Sequence, residues 1–168
     1  MKMRRFINAT TLVALLLGLC LAADKPNISG TWVLDKAKSF SNPAGLDQTM
    51  TIIHKDDEVK VDAKVVVQGK ETIINETWTL DGKEYEFTPA GAAAGVKGKR
   101  KAYWLPGHRG IVVEDETPAP PSAPSGSPPQ RTTKKYTLSA DGATLTVDYF
   151  LDTPRGSFEA KRVFTKRG

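Results

Sequence analysis

The stretch that decides the fold of this chain is Asn27-Ile28-Ser29-Gly30-Thr31-Trp32-Val33-Leu34. A glycine bend followed by Thr-Trp opens a run of β-forming residues. This arrangement is typical of the first strand of small up-and-down β-barrels, where an indole closes the end at which the first strand meets the last. We therefore predict a structural role for Trp32 at the closed end of a barrel.

The rest of the chain alternates apolar and polar residues with the period of two that a half-buried strand shows. The alternation is clearest over 59–67 and 144–151, and the pairs Asp81-Gly82 and Asp141-Gly142 supply the positive φ angles of tight hairpins. The pattern predicts an all-β fold, a single antiparallel up-and-down β-barrel of about eight to ten strands. The candidate strands are 30–35, 48–55, 58–67, 70–80, 83–88, 98–105, 109–116, 131–139, 144–152 and 156–166.

The N-terminus has the three parts of a secretory signal peptide. A basic region (Lys2, Arg4, Arg5) precedes an apolar segment, 12–21, that is too short to span a bilayer, and Ala22-Ala23 supplies small residues for cleavage. We predict a signal peptide over 1–23, cleaved after Ala22 or Ala23, and a periplasmic or secreted mature protein.

The alternative to a free mature protein is a lipid anchor on Cys20, the only cysteine of the chain. A small residue normally precedes a lipidated cysteine, and Leu19 stands there instead, so lipidation is disfavoured. Without the signal peptide the mature chain has no cysteine and its stability has to come from packing.

The charge of the mature chain is small. Removing the three basic residues of the signal peptide leaves 21 basic against 19 acidic residues, a net charge of +2. This balance gives no reason to expect a nucleic-acid partner, and we expect no transmembrane segment in the mature protein. The local basic run 97–101 is interpreted as a solvated strand edge protected by lysines.

Two segments interrupt the strand pattern. Residues 88–98 are rich in Ala and Gly, and residues 117–129 contain six prolines. Because proline lacks the backbone donor, the second segment is predicted to be a disordered loop at one rim of the barrel. A linker between two domains, or a proline-rich recognition motif, is the alternative; only 39 residues follow, too few for a second core. We therefore predict one barrel domain, 24–168.

No arrangement typical of catalysis or metal binding emerges. The serines lack a nucleophile-elbow context and no pair of carboxylates stands out. His54 and His108 lack the spacing of a metal pair, and both are expected on the surface. We expect no cofactor and no metal, and an enzyme is the less favoured class.

The 27–34 stretch, together with Arg162-Val163-Phe164 in the last strand, resembles the calycin superfamily, which includes lipocalins and fatty-acid-binding proteins. The nearest resemblance is to the lipocalin-like domains that bacteria export. It implies a closed barrel with a cavity for an apolar or amphipathic molecule. In fatty-acid-binding proteins an arginine and a nearby tyrosine of the last strand hold the ligand carboxylate; Arg162 matches the arginine, and Phe164 stands at the tyrosine position. The segment 35–48 is too short for the helical lid of that family.

Because side chains alternate between the two faces of a strand, Arg162 lies on the same face of the last strand as Phe158, Ala160 and Phe164. A cation inside an apolar barrel needs a partner. Three partners are possible, namely the internal carboxylate of Glu76, the Trp32 ring in a stacking contact, and the anionic group of a ligand; the alternative is an Arg162 that faces solvent. The inward positions predicted to line a ligand site are Val61, Val65, Ile74, Glu76, Trp78, Val147, Tyr149 and Arg162.

Two functions are compatible with these residues. The first is an exported lipocalin-like barrel that binds a small hydrophobic or amphipathic molecule in the cell envelope. The alternative is a solidly packed interaction or inhibitor module whose loops face a protein or glycan partner. The free volume of the interior separates them, since large inward residues fill a narrow barrel and leave room in a wider one.

Overall fold

Ten strands account for nearly all of the regular structure in the computed structural model, which describes residues 25–90 and 92–168. The strands are β1 (Gly30–Leu34), β2 (Asp47–Lys55), β3 (Glu58–Val67), β4 (Lys70–Thr79), β5 (Glu84–Phe87), β6 (Gly98–Trp104), β7 (Ile111–Thr117), β8 (Gln130–Leu138), β9 (Thr144–Thr153) and β10 (Gly156–Lys166). The all-β prediction is confirmed, and every predicted strand is found within two residues of its expected ends. The predicted signal peptide, 1–23, lies outside the described residues.

Each strand pairs antiparallel with its neighbour in sequence, except that β4 and β5 share no ladder. The ring closes instead between the first and last strands, where Trp32 lies opposite Lys166 and Leu34 opposite Phe164. The sheet therefore curls into an up-and-down barrel with one unzipped seam, between β4 and β5, which confirms the predicted barrel topology.

Of the two predicted Asp-Gly hairpins, Asp141-Gly142 between β8 and β9 is confirmed, whereas Asp81-Gly82 is a turn between β4 and β5, which share no ladder, so the hairpin prediction is wrong there. Gly82 and Gly142 have φ angles of 72° and 69°. The Asp141 carboxylate accepts a hydrogen bond from the amide of Ala143 at 3.0 Å, which fixes the turn between β8 and β9. These local signals explain why the position of this turn could be predicted from the sequence.

The two ends of the barrel differ. At the closed end, the N-terminal segment 25–29 crosses beside the short turn that joins β2 to β3. At the open end lie the long connections 35–46, between β1 and β2, and 118–129, between β7 and β8. The first contains no helix; the Asp35 carboxylate turns the chain by accepting amide hydrogen bonds from Ala37 and Lys38.

The hydrophobic core fills the closed half of the barrel. The least exposed large side chains are Trp32, Trp78, Phe164, Ile28, Ile52, Ile111, Leu145, Val59, Val113 and Val147. The Trp32 indole is fully buried and donates to the carbonyl oxygen of Ile28 at 3.0 Å, so it joins the first strand to the segment that covers the barrel end. Trp78 and Tyr136 pack ring against ring at 5.0 Å beside it.

Candidate functional site

The predicted ligand-lining residues divide into two groups along the barrel axis. Val61, Trp78 and Val147 belong to the buried core of the closed half. Val65, Ile74, Tyr149 and Arg162 stand nearer the open end and are only partly buried. The structure therefore brings the second group together around the mouth of the barrel, and the first group serves mainly as packing beneath it.

Arg162 lies on the inner face of β10, and its guanidinium is held by three neutral side chains. Its Nε donates to Asn42 Oδ1 at 3.0 Å, and its Nη1 donates to Gln48 Oε1 at 2.8 Å and to the Tyr149 hydroxyl at 3.4 Å. The guanidinium also stacks over the Tyr149 ring, 4.4 Å from its centroid. Among the described residues, no carboxylate forms a salt bridge with this arginine.

The polar support of Arg162 comes from the connection between β1 and β2. Asn42 donates through its amide nitrogen to the carbonyl oxygens of Phe40 and Lys161, each at 2.9 Å. Phe40 itself pairs with Lys161 as an isolated antiparallel bridge. The connection 35–46, which contains no helix, is thereby held against β10, and the side-chain oxygen of Asn42 accepts a hydrogen bond from Arg162.

Both internal partners that the sequence suggested for Arg162 are wrong. Glu76 is bound by other cations, and the cation over the Trp32 ring is Lys166, at 5.4 Å. The reason is the position of Arg162 along β10. It lies opposite Val147 and is nearer the open end of the barrel than Lys166, which is the residue opposite Trp32.

A buried cluster of four charged residues crosses the middle of the barrel, and sequence reasoning identified only one of them. Arg100 on β6 binds Asp115 on β7 through two hydrogen bonds, of 2.6 and 2.8 Å, and binds Glu76 on β4 at 3.0 Å. Lys134 on β8 lies 3.4 Å from both Glu76 and Asp115. The Trp78 indole adds a hydrogen bond to Glu76 at 3.2 Å.

This charge cluster links β4 to β6 across the seam where β4 and β5 share no ladder. Burial alone would raise the pKa of Glu76, but the charges of Lys134 and Arg100 and the hydrogen bonds from Arg100 and Trp78 outweigh it, and the pKa is held below its ordinary value. Glu76 is therefore ionised at neutral pH. With two carboxylates and two cations, the cluster is neutral.

The three missed members of the cluster carry a signal in the sequence. Arg100 stands between Gly98 and Ala102 on the inner face of β6. Asp115 comes two positions after the inward Val113 on β7, and Lys134 comes two positions before the inward Tyr136 on β8. The interpretation of 97–101 as a solvated edge is thus wrong for Arg100, whose side chain is only 5% exposed. It fits Lys99, which pairs with Glu84 at 3.0 Å on the outer face.

His54 is buried, contrary to the expectation of a surface position, because it continues the inner face of β2 after Gln48 and Ile52. Its Nδ1 accepts the amide hydrogen of Ile28 at 3.4 Å, and its Nε2 lies 3.1 Å from the carbonyl oxygen of Asp56. Burial lowers the pKa of His54. The neutral ring therefore fastens the N-terminal segment to the closed end.

Comparison with known proteins identifies the fold. No protein-family model and no curated protein sequence matches this chain. Solved structures do match: a fatty acid transporter described as REP1-NXSQ has a TM-score of 0.55 at 11% identity, covering 84% of this chain and 96% of that one. A secretory abundant heat-soluble protein from Ramazzottius varieornatus has a TM-score of 0.54 at 15% identity, covering 83% and 94%.

The zebrafish ileal bile acid-binding protein, solved with cholic acid, also has a TM-score of 0.54, at 12% identity over 83% of this chain and 98% of that one. This chain shares the up-and-down β-barrel fold of these structures. The whole barrel matches, since these structures are covered almost end to end. Within the described part of the chain, no helix has the length and apolar character needed to cross a membrane.

Proposed function

We propose that this protein is an exported barrel that binds a small amphipathic molecule with an acidic head group. The observation that carries the proposal is Arg162, a partly buried guanidinium inside the barrel whose described partners are all neutral. Because the neighbouring charge cluster cancels internally, the positive charge of Arg162 has no compensating carboxylate among the described residues.

An acidic ligand supplies the compensation that the chain does not. A hydrogen bond that includes a charged group contributes about 1.5–3 kcal/mol, roughly twice a neutral one. The guanidinium donates hydrogen bonds to Asn42, Gln48 and Tyr149, but these neutral groups do not cancel its charge. A ligand carboxylate would therefore meet an unneutralised cation in a partly desolvated site, where opposite charges attract more strongly than in water.

The apolar part of the ligand has matching walls. Val65, Ile74 and Tyr149 are packed against the core on one side and left partly open on the other. Two of the proteins with this fold are a fatty acid transporter and a bile acid-binding protein, and both kinds of acid have a large apolar body. Their fold and the Arg162 site support the same class of ligand for this protein.

Displacement of an apolar fluorescent probe tests the head-group assignment. We expect dodecanoate to displace the probe from the wild-type protein, and Arg162→Gln to weaken dodecanoate about tenfold or more while leaving dodecanol nearly unchanged. Arg131→Gln is the matched control, because Arg131 is an exposed arginine paired with Glu116 on the outer face. Equal weakening of the acid and the alcohol would contradict the assignment.

A second pair of variants tests whether the mouth of the barrel is the site. Val65→Trp fills the mouth and is expected to abolish probe binding, whereas Val66→Trp, on the opposite face of β3, is expected to leave it intact. If the wild-type protein binds no probe, the packed interaction module becomes the better description.

Export to the cell envelope is part of the same proposal and rests on the N-terminal sequence. We expect the mature protein from its own host to begin at Ala23 or Asp24. Intact-mass measurement decides this, and acyl chains on Cys20 would replace the free protein by a membrane-anchored one.

A further inference from the structure

The proline-rich loop 118–129 forms one wall of a groove at the open end of the barrel. It contains no charged residue. Two turns shape it, in which the amides of Ala123 and Ser127 donate to the carbonyl oxygens of Pro120 and Pro124 at 2.8 and 3.1 Å. Between this loop and the turn that joins β9 to β10 lies a groove of about 690 Å³.

The walls of this groove, which we call the rim groove, are largely apolar. Pro120, Pro124 and Pro128 face it from the loop, and Pro154 and Phe158 face it from the β9–β10 hairpin. Phe158 is the most prominent of these side chains, since 57% of its surface is exposed. A volume of this size is within the range of about 300–1,000 Å³ that holds small molecules.

The rim groove continues the inner face that carries Arg162. Phe158 and Arg162 lie on the same face of β10, and Phe158 is paired with Leu151 of β9. The two residues are four positions apart along the strand, which corresponds to a distance of about 13 Å. The single inward side chain between them is that of Ala160, whose methyl group is the only side chain on this face of β10 between Phe158 and Arg162.

We propose that the rim groove holds the apolar end of the ligand whose acidic head binds Arg162, so that the proline-rich loop is a binding element of the site. This inference rests on the proposed function above. The occupant is a chain-like or flat apolar tail that extends more than about 13 Å from the acidic group. Prolines suit such a wall because their fixed φ angles reduce the entropy lost when a ligand orders the loop.

Two fatty acids of different length test this assignment. Octanoate is too short to reach from Arg162 past Phe158, and hexadecanoate extends beyond it. In Phe158→Ser we expect hexadecanoate to bind about tenfold more weakly and octanoate to change by less than about twofold. The control is Phe150→Ser, because Phe150 is a comparably exposed phenylalanine on the outer face of the same hairpin.

Replacing 118–129 with a short Gly-Ser link provides a second variant, since a loop without buried strands is dispensable for folding. We expect it to keep the thermal transition of the wild type and to lose the preference for hexadecanoate. A fatty acid with a nitroxide near its methyl end is expected to broaden the amide resonances of 122–127 in the wild-type protein more than those of 42–48.

The outcomes separate the two proposals. If both variants weaken octanoate and hexadecanoate equally, or if the nitroxide broadens only 42–48, the rim groove does not hold the tail and this inference is overturned, while the Arg162 site stands. If the wild-type protein binds neither acid, the proposed function fails and this inference fails with it.

Discussion

Replacing Arg100 with methionine removes the central cation of the buried charge cluster and keeps most of the side-chain volume. Arg100 is 5% exposed, holds Asp115 with two hydrogen bonds and is the cation that reaches Glu76 from across the β4–β5 seam. In the variant, Lys134 alone has to balance two buried carboxylates, each 3.4 Å from its nitrogen.

The expected cost is large because the partners stay behind. Removing one member of a buried ion pair typically destabilises a protein by about 3–5 kcal/mol, mostly through the uncompensated charge that remains. For a domain of this size each kcal/mol lowers the melting temperature by about 2–4 °C, so we expect a fall of roughly 6–20 °C.

Urea unfolding and thermal melts at neutral pH measure the effect. Arg131→Met is the control, since Arg131 pairs with Glu116 on the surface, where an ion pair contributes less than about 1 kcal/mol. Adding Asp115→Asn to Arg100→Met leaves one carboxylate, Glu76, facing Lys134, so it removes the excess negative charge and is expected to recover part of the loss.

Two results would refute the reasoning. If Arg100→Met costs no more than Arg131→Met, the buried cluster does not stabilise the fold. If the double variant Arg100→Met with Asp115→Asn is less stable than Arg100→Met alone, the loss does not arise from unbalanced carboxylates.

Two further predictions concern the closed end. Trp32→Ala is expected to cost about 3–5 kcal/mol in urea unfolding, because it removes a fully buried indole and its bond to Ile28; an unchanged midpoint would contradict the role of this residue. For His54, the folded pKa is lowered by burial, so the unfolded chain binds the proton first and stability falls as the pH drops below about 6.5. His54→Gln is therefore expected to flatten the dependence of the melting temperature on pH between about 7.5 and 5, and parallel curves for the two proteins would argue against it.

The strands could be predicted because their signals are local. A period of two and the Asp81-Gly82 and Asp141-Gly142 turns are read within a few residues, and the closing contact of Trp32 follows from the barrel topology. The calycin resemblance rested on equally short motifs, and the shared fold confirms it.

The partners of the inward polar residues could not be predicted in the same way. Arg162 and Gln48 are 114 positions apart and meet only because β1 and β10 close the ring. The alternation of faces along each strand places Arg100, Asp115 and Lys134 inside the barrel. Only the curvature of the sheet brings β4 close enough to β6 for Arg100 to bind Glu76. Strand period determines which face a residue occupies, and barrel geometry determines which residue it meets.

The interior is therefore layered, and the layers separate stability from binding. The tryptophan-rich core fills the closed half, the neutral charge cluster crosses the middle, and the incompletely buried side chains and Arg162 stand at the mouth. The free energy of unfolding depends mostly on the first two layers, because the first holds most of the buried apolar area and the second loses stability when one of its charges is left unpaired. The mouth contributes little packing and carries the unneutralised Arg162, and it is there that we propose the ligand binds. Substitutions at Val65 or Arg162 should accordingly change binding with little effect on unfolding, and a substitution at Arg100 should do the reverse.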